Sequence, residues 1–354
     1  MLKKKFSLTL LLLFLIIVLE NYTASPDGYP DIRISGNDDF KKCKYVIRGD
    51  GTKSNPYIIR VDIANWVEIR DTDKYFILEF SKITLGIMLD HVSNGDICGS
   101  EITEEKNLGI SISSCNNINV FSIKIMNTNR SGPKSIWIKE SQNILIKEVT
   151  ILNSQGIVIE NSRDIVIDRV YIKNKESMAG ISVYKSNVKI YHSTILGPKI
   201  ITFTGIEIYG SKNCEIAHNI IRYCTTGMNL YNSTDCLIYD NFFANNSIDA
   251  LDNSGGKNKW NLDHKIPGKN IIGGPYLGGN YWDRYKGIDL DGDGIGDTNI
   301  PYISLPGHPC PLCVKDFMPL VYYSKPPEGL DLFIGLLNVS LSERYISPGT
   351  MLTV

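Results

Sequence analysis

Short stretches of strict apolar–polar alternation recur through the middle of the chain. They read GISISS, SIWIKES, GIVIENS, GISVYKS, GIEIYGS and GMNLYNS, starting at Gly109, Ser135, Gly156, Gly180, Gly205 and Gly227. GIMLDH, from Gly86, is a weaker earlier copy. Each of the six is followed by a second short alternation: NINV, NILI, DIVI, NVKI, NCEI and DCLI. Successive copies lie 21 to 26 residues apart. A period of two belongs to strands, and no repeat contains a helical period. Two or three short strands per repeat, separated by Asn, Ser and Gly, describe one rung of an all-β solenoid, a single-stranded parallel β-helix. A single rung cannot bury its own apolar face, so stability comes from stacking.

Aligning the copies predicts inward columns. One is Ile110, Ile136, Ile157, Ile181, Ile206 and Met228. A second is Ile112, Ile138, Ile159, Val183, Ile208 and Leu230, and a third is Ile125, Ile151, Ile172, Ile195, Ile221 and Phe243. Cys214 and Cys236 fall among inward Ile and Val and read as small core residues. Ser114, Ser141, Ser162, Ser186, Ser211 and Ser233 form an expected turn ladder, and Asn219 and Asn241 align with Ser193 at another corner. Open solenoid ends carry unpaired strand edges and need covering. The chain therefore divides into a leader or anchor (1–24), an N-terminal cap with the first coil (26–85), regular coils (86–255), a C-terminal cap (256–325), and a proline linker with a strand-like, truncated-looking tail (326–354).

Composition narrows the function classes. The chain has 354 residues with 37 basic and 38 acidic side chains, a net charge of −1. That balance gives no electrostatic footprint for nucleic acid. Lys3 to Lys5 precede an apolar run from Phe6 to Leu19, which fits a secretory signal. Left uncleaved, the same segment would attach the chain to a membrane. Of eight cysteines only Cys310 and Cys313, in CPLC, are closely spaced. Outside the cytosol they predict a local disulfide. A metal there would need two more ligands, for which His308 is one candidate.

Two constellations carry candidate chemistry. DLDGDGIGD places Asp289, Asp291, Asp293 and Asp297 at loop positions 1, 3, 5 and 9, with Gly294 at the turn. These are calcium-loop offsets, and the backbone carbonyl of Ile295 would be a further ligand. Position 12 is Ile300 and no helix pattern flanks the loop, so it is not an EF-hand. The bland alternative is a solvated Asp/Gly turn. On the coils, outward positions bring Trp137, Glu207 and Asn229 into one column, and Tyr184, Tyr209 and Tyr231 into its neighbour. Such a strip suits a polysaccharide or envelope glycan, whose apolar sugar faces stack on aromatic rings. The alternative is an aromatic ladder that only supports the strands. Glu160 and Glu207 are the nearest approach to a hydrolytic carboxylate pair, and their expected separation is marginal. A corner column of Ser122, Glu148, Arg169, His192, His218 and Asp240 reads as a surface ladder with Glu148–Arg169 and His218–Asp240 neighbours. The two histidines are a weaker metal candidate.

GGNYWDRYKGIDLDGDGIGDTNIPY followed by DFMPL resembles the C-terminal signature of NosD-like right-handed parallel β-helix proteins. DIRISGNDDF, GDGTKSNPYIIR and DTDKYFILEF resemble the way their coils begin. The resemblance covers roughly residues 30–323. It implies a right-handed β-helix on an exported protein, related to domains of carbohydrate-binding proteins and sugar hydrolases. The family takes its name from a periplasmic accessory to copper-enzyme maturation, but no His/Met/Cys cluster in these coils matches such a site. The expectation is therefore an exported glycan-binding β-helix with a structural Ca2+. The alternatives are a structural surface or adhesion protein, a polysaccharide hydrolase or lyase, and a copper accessory protein.

Overall fold

A computed structural model describes residues 28–104, 109–127, 134–174, 179–198, 202–304 and 312–322. The expected leader, Cys310, His308 and the tail after residue 322 lie outside the described residues. One 24-stranded sheet, in which all strand pairings but one are parallel, winds into a β-helix. The rung at 179–196 is typical. Ala179–Tyr184 forms a first face, Val188–Tyr191 a second and Thr194–Leu196 a third.

The inward columns stack as expected. Ile110, Ile136, Ile157, Ile181, Ile206 and Met228 are successive register partners. The column also extends both ways, back through Ile87, Val67 and Ile32, and on to Ala250. All are buried. The second and third columns hold the same way, and the second ends in Asp252 beneath Leu230. Full burial of one such side chain is worth ~1.5–3 kcal/mol, and each also fixes its neighbours' register.

The chain leaves each strand through a left-handed residue. Ser114, Glu140, Asn161, Lys185, Gly210 and Asn232 share positive φ at one corner. Ser122, Glu148, Arg169, His192, His218 and Asp240 do so at the next. One αL residue turns the backbone sharply at small cost, and polar residues tolerate it best. The following residue points inward, and there the serine ladder forms. The amides of Ser141, Ser162, Ser186 and Ser211 donate to the Oγ of Ser162, Ser186, Ser211 and Ser233 in the next rung. Its first member is Cys115, not Ser114. The Cys115 amide donates to Ser141 Oγ, while Ser114 occupies the αL position one residue earlier.

The second ladder runs into the C-terminal cap. The amides of Ser193, Asn219 and Asn241 donate to the carboxamide oxygens of Asn219, Asn241 and Asn280. The Asn280 amide then donates to Asp316. Tyr281–Trp282 pair in parallel with Phe242–Phe243, and the rings stack at 4.5 Å in both pairs. The GNYW segment is thus a last partial rung. A Cβ on Gly279 would run into the Asp316 carboxylate, which explains a glycine there. At the other end Phe40, from the 3-10 turn Asn37–Lys41, stacks on Tyr57 at 4.7 Å and closes the first coil.

The stacked core makes a direct prediction. Ile181→Asp, which buries an unpaired charge in a column with no polar partner, should abolish the cooperative thermal transition. Ile181→Val should cost only ~0.5–1.5 kcal/mol. Circular-dichroism melts of the two variants check this.

Candidate functional site

On the first face, Glu160, Tyr184, Tyr209 and Tyr231 are successive register partners. The Tyr209 and Tyr231 rings stack at 5.1 Å and 13°, and Tyr184 tilts against Tyr209 at 6.3 Å. Tyr209 and Tyr231 are 39% and 44% exposed. Glu207 and Asn229 pair in the adjoining column, and the Tyr184 hydroxyl donates to Glu207 at 3.3 Å. Burial, then the Glu207 charge, pushes the Tyr184 phenol upward. These five side chains form one surface strip. Trp137 stands in the Glu207 column but three rungs away, roughly 14 Å at strand spacing. Its indole donates to Glu160 at 3.1 Å, and Lys134 lies 4.0 Å over its ring. Glu160 also pairs with Lys134. Tyr184 separates Glu160 from Glu207, so no two carboxylates face one another across an open gap here.

The corner column differs from the expected ladder. Arg169 bonds its own neighbour Asp168 at 2.8 Å, and His192 Nδ1 reaches the same carboxylate at 2.8 Å. His218 does pair with Asp240, whose carboxyl is pushed up by burial against the pull of His218. The two imidazoles stack at 5.1 Å and 8°. Beside them the Tyr239 hydroxyl donates to Glu215 at 3.3 Å, and burial, then Glu215, pushes the Tyr191 phenol upward. Burial, then Glu215, raises the Tyr239 phenol to about 12. Sequence alignment missed this cluster because Ala217 interrupts the tyrosine column between Tyr191 and Tyr239.

In the acidic loop, carboxylate oxygens of Asp289, Asp291 and Asp297 lie within 4.8 Å of one another. Asp293 turns away to pair with Lys265. Ile295 bridges to Leu320, and its side chain packs in a small core with Phe242, Ala244 and Ile272. The loop is therefore riveted to the third face of the last rungs. Two clefts of about 370 Å3 each flank Lys259 and Asp263 in the cap. Neither includes the tyrosine strip.

The family model described as "Periplasmic copper-binding protein (NosD)" matches residues 68–287, more than half of the chain. The chain belongs to the NosD family. No curated protein matches it. Among solved structures it is similar to the enzymatically active domain of tailspike protein 2 of bacteriophage CBA120, with 11% identity and a TM-score of 0.37. That match spans 57% of this chain and 40% of the other. Full-length tailspike protein 2 from the Escherichia coli O157:H7 bacteriophage CAB120 gives 12% identity, 57% and 36% coverage, and a TM-score of 0.25. Likeness at this level carries no argument about activity.

The family description raises copper, and among the described residues no group of three or more His or Cys side chains converges to hold it. Among the described residues the one converging group of three or more His, Cys, Asp or Glu is Asp289, Asp291 and Asp297, an all-oxygen set that suits a hard cation. Burial raises the Cys115 and Cys224 thiols to about 11 and about 12, away from the thiolate a metal needs, whereas the neighbouring Cys236 thiol lowers that of Cys214. Cys313 is disulfide-bonded.

Two buried carboxyls set a pH dependence for the cap. Burial, then the Asp283 charge, raises Asp249 from 3.8 to about 6 against its bond from Tyr302. Burial alone raises Asp316 to about 6 against donors from Asn280, Trp282 and Met318. Both hold protons in the folded chain that the unfolded chain has released. Their stabilisation is complete below about 4 and is lost as pH rises through about 6. Melting temperature should therefore fall across that interval, and Asp249→Asn should flatten the slope. Melts in a pH series check both.

Proposed function

We propose that this chain is an exported β-helix that binds glycan through its first face. The observation that carries the reading is the exposed, stacked Tyr209–Tyr231 pair, continued by Tyr184 and flanked by Glu207 and Asn229. Ring faces take the apolar side of a sugar, while the carboxylate and carboxamide take its hydroxyls. A shallow strip suits an extended polymer better than a small molecule, which favours enclosed pockets. The Lys3–Leu19 segment and the family's periplasmic description support export. Binding without hydrolysis is favoured because Glu160 is spent on Trp137 and Lys134.

A glycan array followed by titration of the best ligand tests the reading. The triple variant Tyr184→Ala, Tyr209→Ala, Tyr231→Ala should lose at least tenfold in affinity, about 1.4 kcal/mol, with its melting temperature largely kept. Equal binding by the triple variant would leave the strip as packing between rungs. Release of shortened sugars from a bound polymer would instead make the protein a hydrolase or lyase.

The acidic loop takes a separate, structural role in this proposal. Asp289, Asp291 and Asp297 hold one Ca2+, with the Ile295 carbonyl as a further ligand and Asp293 recruited from Lys265. Bound Ca2+ would fasten the loop whose Ile295 packs on the last rungs. Binding only to the folded chain stabilises it by ~2.7 kcal/mol at a hundredfold excess over Kd. Calorimetry should show the melting temperature rising with Ca2+, and Asp291→Ala should remove most of the rise. No shift in the chelator-treated wild type would exclude the site.

A further inference from the structure

One corner of the coils carries a side chain that stacking does not use. Asn232 opens the tripeptide Asn232-Ser233-Thr234. This is the acceptor pattern for N-linked glycan in an exported chain, with no proline at its middle position. In an Asn-rich chain the pattern alone says little, and its place in the fold decides. Asn232 is exposed and left-handed, with a φ of 50°. Its backbone amide donates to Asn253 Oδ1 at 2.7 Å, while its carboxamide forms no hydrogen bond among the described residues. The buried corner asparagines do the opposite. Asn219, Asn241, Asn258 and Asn280 each donate from the carboxamide to a backbone carbonyl of the preceding rung.

The space around Asn232 is clear. The preceding rung has Gly210 at the same corner, and the Gly210 amide donates to the Tyr231 carbonyl at 2.9 Å. A Cβ added to Gly210 would meet only the Lys185 side chain, at 3.6 Å. No side chain of that rung therefore stacks on Asn232. A second tripeptide, Asn245-Asn246-Ser247, sits differently. Asn245 is exposed too, but its amide donates to the cap residue Asp283 at 2.6 Å. The Arg284 guanidinium holds the carbonyls of Asn246 and Ser247. The cap is thus folded onto that corner and leaves the Asn232 corner open.

We propose that Asn232 is a glycosylation site that takes an oligosaccharide from a lipid-diphosphate donor. The carboxamide nitrogen forms a bond to the anomeric carbon of the first sugar. The bond from that carbon to the diphosphate oxygen breaks, the lipid diphosphate leaves with the electron pair, and the nitrogen gives up one proton. In the folded rung Thr234 bridges to Lys212, and its hydroxyl donates to Asp235 at 2.8 Å. The transferase therefore meets the tripeptide before this rung closes. Asn232 directly follows Tyr231, so the attached sugar stands at the end of the tyrosine strip. The assignment rests on the export part of the reading above and not on the strip's affinity for glycan.

Glycopeptide mass spectrometry of the full chain purified from the cells that make it, combined with cell fractionation, tests this. The peptide that holds Asn232 should be heavier by a whole number of sugar residues, and Asn232→Gln should lose that entire increment. Thr234→Ala should lose it as well, with Asn232 itself left in place. Thr234→Ser, which keeps the hydroxyl, should retain it. The two separate routes to removing the tripeptide cover the case in which one variant fails to fold. A bare Asn232 in a chain found outside the cytosol would overturn the proposal and leave export standing. A bare Asn232 in a cytosolic chain would overturn both. Modification of Asn245 with Asn232 bare, or an increment that survives Thr234→Ala, would also overturn it.

Discussion

Strand amides in the regular coils find their acceptors in a copy of their own strand one turn away. That constraint governs the whole molecule. It fixes register, because a slip of one residue would turn every inward Ile outward. It makes the corners the weak points, because the backbone there leaves the ladder while still buried. The serine line from Ser141 to Ser233 and the line from Ser193 to Asn280 supply the missing acceptors. It also makes the last rung a problem, since no further copy follows it.

The C-terminal signature solves that problem residue by residue. Asn280 continues the corner ladder, Tyr281 and Trp282 cover the final aromatic pair, and Asp316 ends the line of donors. The acidic loop then clasps the side of the same rungs through Ile295. The most specific sequence motifs are in this way devices of closure. Stacking leaves the outward positions unconstrained, and the glycan reading proposed above assigns function to them. The same repetition that builds the core places tyrosines one above another on the first face.

Much of this was legible in the sequence, for a physical reason. Strict alternation admits one inward set, so the three apolar columns and the Tyr184–Tyr209–Tyr231 line followed from aligning repeats. Corners were less legible. Ser114 and Cys115 differ by one position, and only backbone conformation decides which is αL and which points inward. An αL residue also aims its side chain away from the strand direction, so Arg169 and His192 share Asp168 where simple stacking predicts Glu148 beside Arg169. Contacts across the cap were not legible at all. Asp293 meets Lys265, and Asn280 meets Asp316, through folds of the chain that no repeat encodes.

Hydroxyl-radical footprinting of the protein with a bound neutral glycan tests the central claim most directly, since it reads side chains and not backbone. The account predicts protection of Tyr209 and Tyr231, with the exposed cap residues Phe317 and Leu312 unchanged. Protection confined to the cap clefts, with Tyr209 and Tyr231 oxidised as in the free protein, would contradict it.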